Sequence, residues 1–310
     1  MDRDPAAYFK AIEIAKHDSR VFPMIGKFSD IKKLFLQNKI EPSTVDGIIV
    51  DLGLSNLQLN DKKRGFRLTS ESLLDMRMDG NRCSDSITAS EVINLLDQEN
   101  LEKIFRLYGD EKNSCKYSDM IVDSRYLLKE IRSTSELAYL ISSINSGSLL
   151  DKDQYINNHS ATKIFLALRM FVNNELNELN YLLEAVSKYL KKDEKLINDY
   201  DDYEFTDKQI AKRIDEYDVG KLAIISFDEQ EDTIVKAHFN NLINNTTEVK
   251  NYLKFRAKSF VNEDLETNLK KIKNRRYLPL RRSVIKPTTE EKKINLRAVS
   301  AKLRIAARIE

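Results

Sequence analysis

The sequence has few of the residues on which disulfide-rich and membrane proteins depend. Its 310 residues include two cysteines, no tryptophan, five prolines and eight glycines. Cys83 and Cys115 lie far apart, without a Cys-x-x-Cys pair or a Cys/His cluster. This excludes a disulfide framework and a structural zinc site, and it indicates a reducing compartment. The sequence also lacks a run of 18 apolar residues, which excludes a transmembrane helix.

The charge of the chain is unevenly distributed. Charged residues make up 32% of the sequence and hydrophobic residues 41%, a globular composition, and the length suggests two domains. The formal net charge is only +2, but residues 250–310 contain 18 Lys/Arg and 6 Asp/Glu, whereas residues 1–249 contain 33 and 43. The basic segment 250–310 is therefore a candidate for binding a polyanion.

The pattern of apolar residues predicts an α/β fold. Pro5 begins a short helical pattern at 6–16; then an apolar run at 21–26, a helical pattern at 28–37 and a β-branched run at 45–51 follow in strand, helix, strand order. A matching strand at 221–227 comes only about 170 residues later. We therefore expect a parallel sheet whose sequence is interrupted by an insertion.

The insertion has helical spacing. Apolar residues recur at i, i+3 and i+4 in 88–107, 119–131 and 135–144, with Ser86, Thr88 and Ser133 as candidate N-caps, and a longer helical pattern at 161–190 leads back to the sheet. A polar excursion at 191–218 contains a further helical pattern at 207–215. We predict a first sheet segment at 1–84, an inserted helical substrate-recognition domain at 85–160, and a second sheet segment at 161–310.

Two aspartates stand where an α/β sheet binds ligands. Asp51 ends a predicted parallel strand, and ligands of such sheets bind beyond the carboxyl ends of the strands. Asp2, at the start of a predicted turn into a helix, is placed to accept hydrogen bonds from a ribose. Taken alone, either residue is as well explained as a helix cap or a turn former. Without further motifs, the cap or turn is the better explanation of both residues.

An ordered series of motifs runs along nearly the whole chain. The most specific is Leu-Asp-Met-Arg-Met-Asp at 74–79. The others include Asp2-Arg3-Asp4-Pro5, Gly26-Lys27-Phe28-Ser29, Asp51-Leu52-Gly53-Leu54-Ser55, Arg64-Gly65-Phe66, Tyr108-Gly109-Asp110-Glu111 and Ala301-Lys302-Leu303-Arg304. With this series the sequence resembles the ribosomal RNA small subunit methyltransferase H family, in particular its mitochondrial methyltransferase-like protein 15 branch.

The resemblance implies a fold, an activity and a set of site residues. The fold is a Rossmann-like methyltransferase sheet with an inserted all-helical domain. The activity is transfer of a methyl group from S-adenosyl-L-methionine to N4 of a cytidine in small-subunit ribosomal RNA, without a metal. Asp2 would bind the cofactor ribose, Phe28 would lie against the adenine, and Gln58 would contact the cofactor. Asp51 would close the cofactor site, and either its side chain or a carbonyl of the following turn would accept the amino proton.

The expected partner is ribosomal RNA or the assembling small ribosomal subunit, and the target base must be single-stranded or flipped out. Phosphate contacts would supply most of the affinity. The candidate RNA-binding residues are Lys163, Arg169, Lys270, Lys271, Arg275, Arg276, Arg281 and Arg282. For Arg77, a structural ion pair with Asp75 or Asp79 is an equally good explanation.

Three points stay open. The family has a glycine-rich turn before Asp-Arg-Asp-Pro, and this sequence begins at that motif, so we expect an amino-terminally incomplete chain whose sheet has unpaired edges. A catalytically impaired RNA-binding or ribosome-assembly protein is the alternative function, and a nicotinamide-dependent dehydrogenase, which would need a Gly-x-Gly-x-x-Gly loop, is the weakest one. The mitochondrial matrix is the expected location, with a bacterial cytoplasm as the alternative.

Overall fold

The computed structural model describes residues 1–68, 71–83, 86–127, 129–144, 161–193, 196, 216–240, 276–281 and 283–309. In chain order the helices are α1 (Pro5–Ala15), α2 (Ile31–Gln37), α3 (Asn56–Asn60), α4 (Ala89–Leu95), α5 (Gln98–Gly109), α6 (Ser114–Leu127), α7 (Thr134–Ile144), α8 (Thr162–Val172), α9 (Glu175–Val186), α10 (Glu229–Phe239) and α11 (Thr289–Ile294). The strands are β1 (Gly47–Asp51), β2 (Lys221–Ser226), β3 (Tyr277–Pro279) and β4 (Lys302–Arg308), and short 3₁₀ turns occur at Phe28–Asp30, Lys62–Arg64 and Leu296–Ser300.

The chain divides into two units. The first, here the helical unit, comprises Met1–Gly26 and Leu54–Glu175. The second, here the sheet unit, comprises Lys27–Gly53 and Leu176–Glu310. The domain boundaries at 84–85 and 160–161 stay predictions. The helix expected at 207–215 lies outside the described residues, and among the helices that are described none is long and apolar enough to span a bilayer.

The sheet unit confirms the predicted α/β class. Its strands lie in the order β1-β2-β4-β3. β1 and β2, the two strands expected at 45–51 and 221–227, pair in parallel, with Asp51 opposite Ile225. β4 pairs antiparallel with β2 on one side and with β3 on the other. β1 and β3 are therefore the edge strands of this mixed sheet, within the residues that the structure describes.

Buried polar bonds fix helix α9 within the sheet unit. The Asn180 Nδ2 group donates to the Leu176 carbonyl (3.0 Å), so the Asn180 Oδ1 atom faces the buried His238 ring at 3.0 Å and His238 Nε2 donates to it. The Tyr277 hydroxyl of β3 donates to the Leu183 carbonyl at 2.6 Å. Because buried polar groups must be paired, these bonds set the position of α9 relative to α10 and β3.

The helical unit has its own apolar core, which α4 to α8 share. Phe105, Ile121, Leu137 and Leu168 are among its fully buried side chains. Thr88 caps α4 as predicted, and its hydroxyl accepts from the Glu91 amide. The insertion is therefore helical, as the sequence indicates.

Two helices expected to be continuous are interrupted. The pattern at 88–107 gives α4 and α5, because the Asp97 side chain accepts from the Asn100 amide (2.8 Å) and starts a new helix. The pattern at 161–190 gives α8 and α9, which are separated at Asn174, where the backbone is left-handed (φ 53°). Apolar periodicity continues across both breaks, so periodicity alone did not show them.

The strand expected at 21–26 does not form. Ile25 makes an isolated parallel bridge with Asp2, and the Asp2 amide donates to the Met24 carbonyl at 3.1 Å. Pro23 has no amide proton to donate, which weakens strand pairing in this run. The segment instead holds Asp2 at the start of the chain next to Gly26.

A network of buried charges holds the first residues of the helical unit. Asp4, 1% exposed, caps α1 by accepting from the Ala6 amide (2.9 Å) and also accepts from the Arg64 guanidinium (3.1 Å). Arg3 pairs with Asp79, which is also 1% exposed. Two arginines therefore neutralise two carboxylates that are removed from water.

The same network binds the backbone of the motif at 74–79. Arg64 Nη2 donates to the carbonyls of Arg77 (2.9 Å) and Met78 (2.7 Å). The buried Asn173 side chain accepts from the Met78 amide (2.8 Å) and donates to the Met76 carbonyl (2.7 Å). The Asp-Arg-Asp-Pro, Arg-Gly-Phe and Leu-Asp-Met-Arg-Met-Asp motifs are thus parts of one hydrogen-bonded assembly.

Arg64→Ala tests this assembly. The substitution leaves the Asp4 carboxylate buried without its cation and removes two donors to the backbone, so we expect the free energy of unfolding to fall by about 3–5 kcal/mol. Lys63→Ala, at an exposed position of the same turn, should change it by less than about 0.5 kcal/mol. Urea unfolding followed by circular dichroism measures both. Equal effects of the two substitutions would contradict the role of Arg64.

His238 makes stability depend on pH. Burial, and to a smaller extent the charge of Arg276, lowers the pKa of His238 from 6.5 to about 4. The unfolded chain therefore binds a proton as the pH falls below 6.5 while the folded chain does not, and stability decreases by up to about 3 kcal/mol between pH 6.5 and 4. His238→Gln, which retains a donor for Asn180, should remove this part of the decrease in the free energy of unfolding, measured by urea unfolding at each pH. His17→Gln, at an exposed position, is the control and should not remove it.

Candidate functional site

Asp51 lies at the carboxyl end of β1. β1 is parallel to β2, and the residue after it, Leu52, is buried and donates its amide to the Ile225 carbonyl at 3.0 Å. The Asp51 side chain is open to solvent at one side, but the protein around it raises the pKa of its carboxyl through partial burial. A raised pKa makes this carboxylate a better proton acceptor than an ordinary surface aspartate.

The turn after Asp51 depends on Gly53. Its backbone is left-handed (φ 88°), a conformation that residues with a Cβ rarely adopt. An added Cβ would lie in ordinary van der Waals contact with the Phe227 ring, at 3.9 Å, so the positive φ rather than crowding is what favours glycine here. The sequence therefore places a flexible, small residue directly beside the carboxylate that the resemblance implicates.

Phe28 begins a 3₁₀ turn in the sheet unit. The turn is closed by the Asp30 amide donating to the Lys27 carbonyl (3.0 Å) and by the Lys27 amide donating to the Asp30 carboxylate (3.0 Å). The Phe28 side chain is half-buried, which leaves part of the ring accessible. The next residue, Ser29, donates both its amide (2.8 Å) and its hydroxyl (3.0 Å) to Glu178.

Asp2 lies in the helical unit, just before α1. Its Oδ1 atom accepts from the Asp4 amide at 2.8 Å, and its carbonyl accepts from the Gly26 amide at 2.9 Å. Burial is the main cause that raises the pKa of the Asp2 carboxyl. Because Asp4 belongs to the buried charge network, its amide fixes the position of the Asp2 carboxylate.

Gln58 is also in the helical unit and is 4% exposed. It completes a capping box at the start of α3. Its side-chain oxygen accepts from the Ser55 backbone amide (2.9 Å), and its backbone amide donates to the Ser55 hydroxyl (3.3 Å). The cap uses one lone pair of the oxygen, so the Nε2 group and the second lone pair are what this side chain can offer a ligand. The cofactor role and a local structural role are compatible for this residue.

The four residues expected at the cofactor are divided between the units. Phe28 and Asp51 lie in the sheet unit, and Asp2 and Gln58 lie in the helical unit. Their roles stay predictions. Within the described residues no group of three His, Cys, Asp or Glu side chains is arranged to hold a metal ion.

The candidate RNA-binding residues have different environments. Lys163 donates to the Asp110 carbonyl (2.9 Å), and Arg169 pairs with Glu175 through two bonds of 2.8 and 3.0 Å, which gives both residues contacts inside the helical unit. Arg281 is exposed and donates to the Ser283 hydroxyl (2.8 Å). Arg276 lies just before β3, and Lys270, Lys271, Arg275 and Arg282 lie outside the described residues. Binding of RNA by these residues stays a prediction.

The structure explains Arg77 as an ion-pair partner. Its guanidinium donates to both oxygens of Asp75, at 2.7 and 2.8 Å. Met76, between the two, is buried and has a left-handed backbone (φ 61°). Gly65 allows this geometry, because a Cβ at that position would lie 2.4 Å from the Leu73 carbonyl oxygen.

Sequence reasoning missed Arg64, Asn173 and Glu178 as residues that hold the motif segments. Their contacts join positions between 13 and 170 residues apart in the chain. Arg64 was recognised only as part of a motif. Nothing in the local sequence distinguishes Glu178 from an ordinary polar helix residue, or Asn173, which follows α8, from an ordinary helix C-cap.

Comparison with known proteins supports the resemblance. The model of the MraW methylase family matches residues 1–198. A probable methyltransferase-like protein 15 homolog from Drosophila melanogaster is 35% identical over 311 residues, 99% of this chain and 79% of the relative.

Two further relatives come from a mammal and a bacterium. The 12S rRNA N(4)-cytidine methyltransferase of Mus musculus is 34% identical over 322 residues, 100% of this chain and 71% of the relative. The ribosomal RNA small subunit methyltransferase H of Parvibaculum lavamentivorans is 30% identical over 309 residues, 99% of this chain and 76% of the relative. The motif series, the mixed sheet and these similarities agree that this chain belongs to the MraW methylase family.

Proposed function

We propose that this protein transfers a methyl group from S-adenosyl-L-methionine to N4 of a cytidine in small-subunit ribosomal RNA. The observation that carries the proposal is the Asp51 carboxylate, which stands at the end of a parallel strand, has a raised pKa and belongs to a motif shared with the family. The printed activities of the mouse and bacterial relatives, an N(4)-cytidine methyltransferase and a small-subunit methyltransferase, support the substrate.

The residues present fit the cofactor chemically. Phe28 is half-buried, so one part of its ring is fixed and another is free to cover an adenine. The Asp2 carboxylate can accept hydrogen bonds from ribose hydroxyls, and the Nε2 group of Gln58 can donate one. Gly53, two residues after Asp51, gives the following turn its left-handed backbone. The cofactor supplies a methyl group bonded to a positively charged sulfur.

Asp51 would act as the acceptor for the substrate amine. The lone pair of a cytosine N4 is delocalised into the ring, so this nitrogen is a weak nucleophile. A carboxylate that accepts an N–H bond orients the amine and stabilises the positive charge that develops on it, which favours positioning and electrostatics over covalent catalysis. The raised pKa of Asp51 strengthens this acceptor.

The substrate base must leave its stack to reach such a carboxylate. We expect a single-stranded or extruded cytidine on a structured RNA, with phosphate contacts supplying much of the affinity. The balance of +12 in residues 250–310, from 18 Lys/Arg and 6 Asp/Glu, supports this segment as part of the RNA-binding surface. The assembling small ribosomal subunit is the expected partner.

We expect this protein in the mitochondrial matrix, because its sequence is more similar to the animal relatives than to the bacterial one. Over comparable lengths, the fly and mouse proteins are 35% and 34% identical to this chain, whereas the bacterial enzyme is 30% identical. The bacterial cytoplasm is the alternative location. Immunolocalisation in the source cell distinguishes the two.

Asp51→Asn tests the catalytic proposal. The wild-type protein should bind S-adenosylmethionine in isothermal titration and methylate a small-subunit RNA fragment. Loss of the acceptor charge should reduce kcat about 10²–10⁴-fold and leave cofactor binding measurable. Asp46→Asn, just before the same strand, where the carboxylate is 83% exposed and pairs with Lys191, is the matched control and should retain activity. RNA binding by a wild-type protein that does not bind the cofactor would instead favour the non-catalytic assembly role.

Arg281→Ala tests the RNA surface. If this exposed guanidinium binds a phosphate, its removal should reduce the slope of log affinity against log salt by about 1 and weaken binding of all RNA sequences alike. Arg20→Ala removes an equally exposed arginine that is paired with Asp18 and should leave the slope unchanged. The measurement is fluorescence anisotropy over a salt series. A slope identical to the wild-type value would remove Arg281 from the surface.

A further inference from the structure

A single buried carboxylate holds the turn that contains Phe28. Glu178 is 7% exposed, and its two oxygens accept from the two donors of Ser29: the amide at 2.8 Å and the hydroxyl at 3.0 Å. Glu178 and Ser29 are 149 residues apart in the chain, and both belong to the sheet unit. The pair therefore connects the turn to a distant helix. A bidentate contact of this kind fixes orientation as well as distance, because each of the two carboxylate oxygens accepts one of the bonds.

The helix that presents Glu178 is itself fixed. Two residues further along α9, Asn180 receives the bond from the buried His238 of α10, and the Leu183 carbonyl receives the bond from Tyr277 of β3. Both partners are buried. Glu178 is thus supported by a helix that is tied on two sides, which makes its carboxylate a firm anchor rather than a flexible surface group.

The turn also has bonds within itself. They join Lys27 to Asp30 within one four-residue segment. Such bonds set the shape of the turn but not its direction relative to the sheet. The Ser29–Glu178 contact supplies that direction for the residue next to Phe28. Since Phe28 is only half-buried, packing does not fully fix its ring.

We propose that Glu178 is a positioning residue for cofactor binding, which acts through Ser29 to hold the Phe28 ring in the orientation that receives the adenine. This inference rests on the proposed function, because it assigns Phe28 to the cofactor. Glu178 does not touch the reacting atoms. It orders the Phe28 ring before the cofactor binds. Binding then loses less conformational entropy at this turn.

Three variants separate the bonds of the pair. Glu178→Ala removes both acceptors, and Ser29→Ala removes only the hydroxyl donor. Glu178→Gln can keep both bonds, because its oxygen can accept from the Ser29 amide while its Nε2 group donates to the hydroxyl, which can also accept. Glu184→Ala, on the same helix and half-buried, is the control.

The first measurement is the affinity for S-adenosylmethionine by isothermal titration, together with steady-state kinetics. We expect Glu178→Ala to raise Kd and the KM for the cofactor roughly tenfold or more while kcat changes less than about twofold, because the two lost hydrogen bonds act on cofactor binding and not on the reacting atoms. Ser29→Ala should give a smaller increase. Glu178→Gln and Glu184→Ala should stay near the wild-type values.

The second measurement does not require the cofactor. In the free protein, hydrogen exchange of the Ser29 amide should be slow in the wild type and in Glu178→Gln, and much faster in Glu178→Ala. Unchanged exchange in Glu178→Ala would overturn the anchoring role. Unchanged cofactor affinity in Glu178→Ala, in a protein whose wild type binds the cofactor, would overturn the positioning role alone.

The remaining outcomes are also decisive. If the wild type does not bind S-adenosylmethionine, the proposed function and the positioning role fail together, a result that the wild-type titration identifies before any variant is compared. If Glu178→Ala does not fold, Ser29→Ala decides, and an affinity equal to that of the wild type overturns the inference. Equal losses in Glu178→Gln and Glu178→Ala would show that charge rather than the two hydrogen bonds matters, and would also overturn it.

Discussion

Carboxylates that are removed from water must be matched by donors, and the placement of the motif segments depends on this requirement. In the helical unit Asp4 forms an ion pair with Arg64, and Asp79 forms one with Arg3. In the sheet unit the Asp232 carboxylate of α10 accepts two hydrogen bonds from the Arg304 guanidinium of β4, at 2.7 and 2.8 Å. Such pairs add little net stability compared with apolar residues, but breaking one is costly. They therefore serve to select one arrangement of segments that are distant in sequence.

Local chemistry made much of the fold predictable. The β-branched run before Asp51 is a strand, Pro5 begins a helix and Thr88 caps another, because each of these signals acts within a few residues. The interruptions at Asp97 and Asn174 were not predicted, since apolar spacing continues across them while a cap or a left-handed residue ends the helix. The antiparallel insertion of β4 between β2 and β3 depends on pairing with positions about 80 residues earlier in β2 and about 30 residues earlier in β3, which no local pattern encodes.

The candidate site was predicted in a different way. Asp51 and Asp2 follow from general rules on where α/β sheets bind ligands, whereas Phe28 and Gln58 came from the resemblance. The residues that hold these groups in place were not predicted. Gln58 caps its own helix and Asp2 accepts from the Asp4 amide, both contacts within three residues, whereas Ser29 is bound by a helix that follows much later, a contact that exists only once the chain has folded.

The central position of β4 has a consequence for biosynthesis. β4 (Lys302–Arg308) lies between β2 and β3, and Arg308 donates to the Ser43 hydroxyl (3.0 Å) and to the Lys188 carbonyl (3.1 Å). During translation the four-stranded sheet stays unfinished until these residues leave the ribosomal exit tunnel, whereas the core formed by α4 to α8 is already synthesised. Until then, the edge of β2 with which β4 pairs exposes unpaired backbone groups, the kind of edge at which strands of different chains associate.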